Sequence, residues 1–367
     1  MNILFLANHF NAGGITSYVL TLTRAFVRDG HRVIVASAGG DMVADLQSAG
    51  ARHVRFPFQV KSEIHPVLFW QAPSVSRFVA EEGVQILHAQ TRVTQMMSAL
   101  VSRRTGVPFL STCHGFFKPH WGRRVLPLLG GRVIAISRPV QDHLIHDLAT
   151  PRDKIVLVPN GIDLSLFDPV EAQARQALRD MWGLGDGPVI GSIARLSDVK
   201  GHSYLLNAMP GVLSRYPALK CLLFGQGPLE AELKAMVASK GLQKSVFFYP
   251  MTGRPAQVLP LMDIFVMPSV QEGLGLSVLE AAAMGIPCVA SRIGGLQDAV
   301  DDRETGILVK SRDPDALADG LIELLSDPAR VRTMGAKARC RVEARFSAPM
   351  MAEGTMAVYR DVLKDGL

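Results

Sequence analysis

Short apolar runs that end in small or polar residues alternate with amphipathic stretches along the whole chain, which is the pattern of parallel strands covered by helices on both faces. In the first half the pattern predicts strands over 2–7, 32–37, 85–89, 108–113 and 132–136. Helices fall between them, such as 15–29, where apolar positions recur at helical spacing. In the second half strands are predicted over 188–193, 219–224, 245–249, 264–267, 286–290 and 306–309, with helices over 202–214 and 228–240 among the connections. The same alternation thus occurs twice. At 367 residues the chain exceeds the usual reach of one hydrophobic core, so two doubly wound α/β domains are expected. Phe167-Asp168-Pro169 breaks the periodicity and marks the join, giving domains over 1–165 and 170–345.

Composition narrows the class. With 48% hydrophobic and 20% charged residues the chain is globular rather than disordered. Cys113, Cys221, Cys288 and Cys340 show neither a CxxC pair nor matching histidine spacing, so no zinc site or disulfide framework is expected, and a reducing compartment fits. The opening MNILFLANHF has no basic region before its apolar run and reads as a buried first strand rather than a signal peptide. No apolar stretch approaches the roughly 20 residues of a membrane-spanning helix. A cytoplasmic protein, soluble or peripheral at the inner face of the membrane, is expected.

The charge is uneven. Residues 1–165 hold 17 Lys and Arg against 10 Asp and Glu, although the whole chain is only +6. Between Val84 and Gln141 there are eight basic residues and no acidic one. Lys118, Trp121, Arg123 and Arg124 form the centre of this stretch, where cations are interleaved with an aromatic. Such a segment suits an anionic membrane surface or a phosphorylated, lipid-linked acceptor, or it is simply a solvated face.

Ligands of open α/β sheets bind outside the carboxyl ends of the strands, so the residues that follow strands carry the functional argument. After the first strand, Gly13 and Gly14 stand where a loop enters a helix. Their backbone N–H groups can meet a phosphate, or the glycines merely permit the turn. After the first strand of the second half come Arg195 and Lys200, two cations placed to neutralise a diphosphate, with two solvated surface cations as the plainer account. Glu272-Gly273-Leu274-Gly275-Leu276-Ser277-Val278-Leu279-Glu280 brackets a glycine-rich helix entrance with two carboxylates that can accept hydroxyl hydrogen bonds. Glu280 has a second account, because Ser277 and Glu280 match the S-x-x-E capping box. His88 and His114 end equivalent strands and can both face the ligand side, with a hydrogen-bonded structural histidine as the plainer account of either alone, whereas Cys113 and His114, as neighbours in a strand, point apart and make no nucleophile pair. Asp313-Pro314-Asp315 has a D-x-D form, but an Asp N-cap followed by Pro at the first helical position explains it, so no metal site is expected.

Taken in order, these residues resemble family 4 of the retaining glycosyltransferases, which have the GT-B fold of two Rossmann-like domains facing a central cleft. The resemblance is densest from Pro159-Asn160-Gly161-Ile162-Asp163 through Arg195, Lys200, Gly225-Gln226-Gly227, Ser269 and the Glu272/Glu280 pair to Gly294-Gly295 and Thr305-Gly306. In the first half it runs through Gly13-Gly14, His114-Gly115 and Ala135-Ile136-Ser137. It implies that Arg195 and Lys200 bind the donor diphosphate, with the Gly14 backbone on the same group. It places Glu272 on hydroxyls of the transferred sugar, Glu280 on the nucleotide ribose, and His114 beside the donor sugar. Gly225, Gly227, Met251 and the backbone from Gly273 to Leu276 complete the donor set. The last residues, from about 348, are implied to pack on the first domain. Gln297 stands where the family often has Glu.

The expectation is a cofactor-free, metal-independent hexosyltransferase acting on a glycan or glycolipid, such as a lipopolysaccharide core. Its donor would be a nucleoside-diphosphate hexose, with UDP-sugars commonest in the family and GDP-mannose next. The leaving diphosphate would take the acceptor proton. The rival enzyme class is a nucleotide-sugar 2-epimerase, and the rival of another class is a non-catalytic sugar-nucleotide-binding protein. A nicotinamide oxidoreductase is disfavoured because no G-x-G-x-x-G follows the first strand, and nucleic acid has no role beside such a donor site.

Overall fold

The computed structural model describes residues 1–58, 60, 62–117, 128–250 and 254–365. It contains two compact units, Met1–Gly161 with Ala348–Leu367, and Ile162–Ser347. Each is built on one all-parallel sheet.

The first sheet has seven strands: β1 (Asn2–Leu6), β2 (Arg32–Ser37), β3 (Arg52–Arg55), β4 (Ile86–Ala89), β5 (Phe109–Cys113), β6 (Val133–Ala135) and β7 (Ile155–Leu157), in the order β3-β2-β1-β4-β5-β6-β7. Period-two alternation divides β1 between two cores. Ile3 and Phe5 pack with Tyr18, Leu22 and Phe26 of the helix Gly14–Arg28 and with Met351 and Tyr359 of the helix Ala348–Asp365. Leu4 and Leu6 pack with Leu68, Val75 and Val79 of the helix Pro66–Glu81 and with Met97 and Val101 of the helix Arg92–Thr105. With both faces covered, β1 is apolar throughout its buried length, as expected of a central parallel strand. The last helix of the chain is thus part of the first unit's core.

The second sheet has six strands: β8 (Val189–Ile193), β9 (Lys220–Phe224), β10 (Val246–Tyr249), β11 (Ile264–Met267), β12 (Cys288–Ser291) and β13 (Gly306–Val309), in the order β10-β9-β8-β11-β12-β13. The helices His202–Arg215 and Pro314–Leu325 share one core against it, through Leu205, Met209, Leu317 and Leu321.

In both sheets the strand order reverses beside the first strand, between β1 and β4 and between β8 and β11. These switch points open a crevice at the carboxyl ends of the strands. All eleven strands predicted from the pattern are present. The two that the pattern does not predict, β3 and β7, are the outermost strands of the first sheet and only four and three residues long. Edge strands bury one side at most and need no apolar run. Among the described residues no helix is long and apolar enough to cross a membrane.

Candidate active site

In the second unit the switch point gathers most of the predicted residues. The loop after β8 runs through Ala194, Arg195 and Leu196, and the loop after β9 seals against it: Leu196 N–H donates to Gln226 O at 3.0 Å. Gly225 makes this contact possible, since a Cβ there would come within 1.9 Å of Ala194 O. Arg195 is held by its backbone while its side chain is exposed, and no hydrogen bond or ion pair among the described residues engages its guanidinium.

Lys200 ends the short 3-10 turn Asp198–Lys200. Gly201 follows in the left-handed region, packed so closely on the end of β11 that a Cβ would lie 2.0 Å from Pro268 O. The two loops are tied again by Val270 N–H to Val199 O at 2.9 Å. As a result Lys200 Nζ reaches Glu272 Oε2 at 2.6 Å. The Ser269 hydroxyl donates to the same oxygen at 3.4 Å, and Gly295 N–H holds the Glu272 carbonyl at 3.0 Å. A cation and a carboxylate 72 residues apart in sequence are therefore fixed side by side.

The helix Leu276–Ala283 begins after Gly275, its N-cap, and no side chain caps it. This corrects the capping-box reading of Glu280: Ser277 lies inside the helix and makes no cap bond, because the left-handed Gly275 starts the helix two residues earlier. Without a cap, the first N–H groups remain open to an anion. Glu280 has no hydrogen bond or ion pair among the described residues, and burial pushes its carboxyl up to about 7. Gly227 packs on Leu196 O. Met251 lies outside the described residues.

His202, which the sequence analysis passed over, opens the helix after Lys200 with both ring nitrogens buried and unpaired. Burial, reinforced by the Lys200 charge, lowers its pKa to about 4. Only its place directly after Lys200-Gly201 hints at this in the sequence. Asp313 accepts from Ala316 N–H at 3.0 Å and caps the helix Pro314–Leu325, with Pro314 at its first position.

In the first unit, Gly13 is the N-cap of the helix Gly14–Arg28, and again no side chain supplies a cap bond. Its backbone is extended, and a Cβ would meet nothing nearer than Asn11 O at 4.0 Å. The turn itself therefore does not demand glycine at position 13. His114 follows β5; its Nε2 lies 2.8 Å from Gln90 Oε1, and its ring meets Tyr18 edge-on at 4.8 Å. Burial lowers its pKa to about 3, so the imidazole is neutral.

His88 is different, and the expectation that it faces the ligand side fails. It lies within β4, fully buried between Tyr359 OH on Nδ1 and Thr112 Oγ1 on Nε2, each at 2.7 Å. Its direction is set by the pleat, which turns it toward the last helix. Cys113 donates to Gly115 O at 3.3 Å while His114 engages Gln90, so the two neighbours work apart. Lys118, Trp121, Arg123 and Arg124 lie outside the described residues.

Known proteins resemble the chain over nearly its full length. Residues 12–166 match the family model described as Glycosyltransferase Family 4, and residues 175–341 match that described as Glycosyl transferases group 1. The GDP-mannose-dependent alpha-(1-6)-phosphatidylinositol monomannoside mannosyltransferase of Mycolicibacterium smegmatis is 30% identical, covering 92% of each chain. The D-inositol 3-phosphate glycosyltransferase of Xylanimonas cellulosilytica is 30% identical, covering 96% of this chain and 93% of its own. Among solved structures, Anabaena HepE in complex with UDP-glucose superposes with a TM-score of 0.88 at 22% identity, covering 98% of this chain and 100% of that one, a likeness of fold.

Proposed function

The chain belongs to the family 4 glycosyltransferases, with their fold of two Rossmann-like domains, and from that premise we propose that it is a retaining, metal-independent hexosyltransferase whose acceptor is an anionic, lipid-linked glycan of the cell envelope. The observation that carries the reading is the Lys200–Glu272 pair at the β8/β11 switch point, with the unengaged Arg195 on the adjoining loop. Arg195 and Lys200 meet the donor diphosphate. Glu272 accepts from hydroxyls of the transferred sugar, and Glu280, the one partnerless carboxylate of the segment, accepts from the ribose.

The reaction breaks the bond between the anomeric carbon and the diphosphate oxygen and forms one from that carbon to the acceptor oxygen on the same face. The departing diphosphate takes the acceptor proton. Fixed cations and helix N–H groups aimed at the charge that develops are the largest source of acceleration in such a site. In the first unit a neutral His114 offers a lone pair to a sugar hydroxyl, and Gly13, which the turn does not require, leaves the helix N-terminus open to a phosphate.

GDP-mannose stands in the name of the M. smegmatis relative, at 30% identity over 92% of both chains, and this supports it over the UDP-sugars as donor. The same name includes phosphatidylinositol monomannoside, an anionic lipid-linked sugar, which supports an acceptor of that class; a lipopolysaccharide core is another anionic, lipid-linked glycan. These readings assign the protein to the inner face of the cytoplasmic membrane. The test is a thermal-shift series with GDP-mannose, UDP-glucose and UDP-galactose, since only a bound donor protects the fold, followed by NMR of the product anomer. A β-linked product from an α-linked donor would overturn retention. Activity lost in EDTA and restored by Mg²⁺ or Mn²⁺ would overturn metal independence.

A further inference from the structure

The first unit holds a recess outside the proposed donor contacts. It lies over the end of β5, between the start of the helix Arg92–Thr105 and the end of the helix Arg138–His146. Among the described residues Cys113, Phe117, Leu129, Leu144 and Leu148 form its apolar wall. Local structure holds that wall in place. Phe117 N–H donates to His143 Nε2 at 3.0 Å, and His143 Nδ1 faces Asp147 Oδ2 at 2.6 Å. Past the helix, Ala149 turns the chain at φ 52°, and Thr150 N–H returns to Leu144 O at 2.9 Å. The turn puts a residue with a side chain into the left-handed region, at a cost in strain. Leu144, Leu148 and Thr150 all stand on the wall as a result.

Most polar side chains that line the recess are already engaged. Gln90 is committed to His114 Nε2 at 2.8 Å, Thr112 to His88 Nε2 at 2.7 Å, Thr91 to Asn8 Oδ1, and Arg92 to Glu63 at 3.3 Å. Gln95 differs: it is only 7% exposed, yet its side-chain amide makes no hydrogen bond among the described residues. The Thr150 hydroxyl is likewise buried and unpaired. A nearly buried amide without a partner costs free energy that a ligand oxygen would recover. So apolar a wall with so few free polar groups selects the chemistry of its ligand. The face of a sugar would bury several hydroxyls, most of them unmatched. An acyl group brings one carbonyl oxygen and an alkyl chain, and these match one amide donor and the leucines.

We propose that this recess binds an acyl group carried by the acceptor, with the acyl carbonyl accepting from the Gln95 amide and the chain lying against Leu129, Leu144 and Leu148. The inference rests on the reading above, in which His114 meets a hydroxyl of the reacting sugar. Gln90 both lines the recess and holds His114, so a group seated there lies one side chain away from that sugar. The acceptor is therefore acylated close to the hydroxyl that attacks.

The experiment titrates the full chain, in the presence of GDP, with the acetyl, butanoyl, hexanoyl and octanoyl esters of methyl α-mannoside and with the corresponding free carboxylates. Calorimetry gives the affinities, and saturation-transfer NMR shows whether the alkyl protons touch the protein. Affinity for the esters should rise by roughly threefold per methylene that becomes buried, then level off once the recess is full. Gln95→Leu keeps the volume and removes the amide. It should bind every ester about fivefold more weakly and melt no lower than the parent. Leu148→Trp fills the recess and should flatten the series. A flat ester series in the parent, or ester affinities unchanged in Gln95→Leu, would overturn the proposal. A rise for the free carboxylates with none for the esters would overturn it in favour of a separate fatty acid. The donor-induced thermal shift is measured on the same protein. Its absence, with the ester series intact, would overturn the donor-site reading and leave the acyl recess standing.

Discussion

Lys200 Nζ lies 2.6 Å from Glu272 Oε2, so the cation and the carboxylate assigned to the donor are each other's counter-ion. A diphosphate that claims the ammonium competes with Glu272, and sugar hydroxyls that claim the carboxylate release Lys200. The two contacts are therefore coupled. Lys200→Ala and Glu272→Ala should each lower turnover by roughly 100-fold or more, the scale of one preorganised charge contact. The double variant should lose far less than the product of the two, because neighbours in one ion pair are not additive. Multiplicative losses in a double-mutant cycle would show two independent roles.

The placement of these candidate residues was legible in the sequence because it is local. Arg195, Lys200 and the Glu272-to-Glu280 segment each follow a strand, and parallel α/β sheets bind ligands there. The pairing of Lys200 with Glu272 was not legible, because it depends on which loops the strand order β8-β11 brings together. The capping box misled for a related reason: the S-x-x-E spacing is present, but a left-handed Gly275 sets the helix start. His88 and His114 look alike as strand-end histidines; only strand register and pleat separate a fully buried core residue from a half-buried one just past its strand.

Glu280 should give the enzyme a pH dependence on the acid side of neutrality. Its carboxyl titrates at about 7 in the fold because of burial, against an ordinary value of 4.5. If the carboxylate accepts from ribose hydroxyls, the KM for donor should rise as pH falls below about 7, and Glu280→Gln should flatten that rise. The stability effect has the opposite direction. Between 4.5 and about 7 the folded state holds a proton that the unfolded state has lost, so stability falls as pH rises through that window. Glu280→Gln should remove this fall, seen as a melting temperature that gains on the parent between pH 5 and pH 8 (roughly the span of the titration). Parallel melting curves in pH would exclude the assigned titration.

Tyr359 ties the last helix to the first sheet through His88. Tyr359→Phe keeps the packing but leaves His88 Nδ1 without its 2.7 Å partner, a loss of about 1–3 kcal/mol for an unsatisfied buried polar group. Urea unfolding of the first unit should report it, with donor binding by the second unit unchanged. Deletion from Ala348 onward should be far worse, since it also strips Met351, Val358 and Val362 from the core.

Gln90 is expected to act through His114 and to fix which of its nitrogens carries the proton. The Gln90 amide nitrogen donates toward His88 O at 3.4 Å, which directs Oε1 to His114 Nε2 at 2.8 Å. Nε2 then donates, and Nδ1 keeps a lone pair for a sugar hydroxyl. The ring stays neutral because burial holds its pKa near 3; Tyr18 and His88, the titratable groups around it, are themselves buried and bring no counter-charge. Gln90→Glu changes the sign of this environment. A carboxylate at hydrogen-bond distance favours the imidazolium, and a protonated ring has no lone pair to offer. The ratio of variant to parent kcat/KM should therefore fall as pH is lowered from 8 to 5.5, by roughly tenfold across that range if the His114 pKa rises to its ordinary value of about 6.5. Gln90→Leu should lower kcat/KM without that slope, since it removes the tautomer lock and adds no charge. Nitrogen-15 NMR of the imidazole should show the Nε2–H form in the parent and a protonated ring in Gln90→Glu at pH 5.5. A pH-independent ratio together with an unchanged His114 spectrum would mean that Gln90 merely fills space beside the ring.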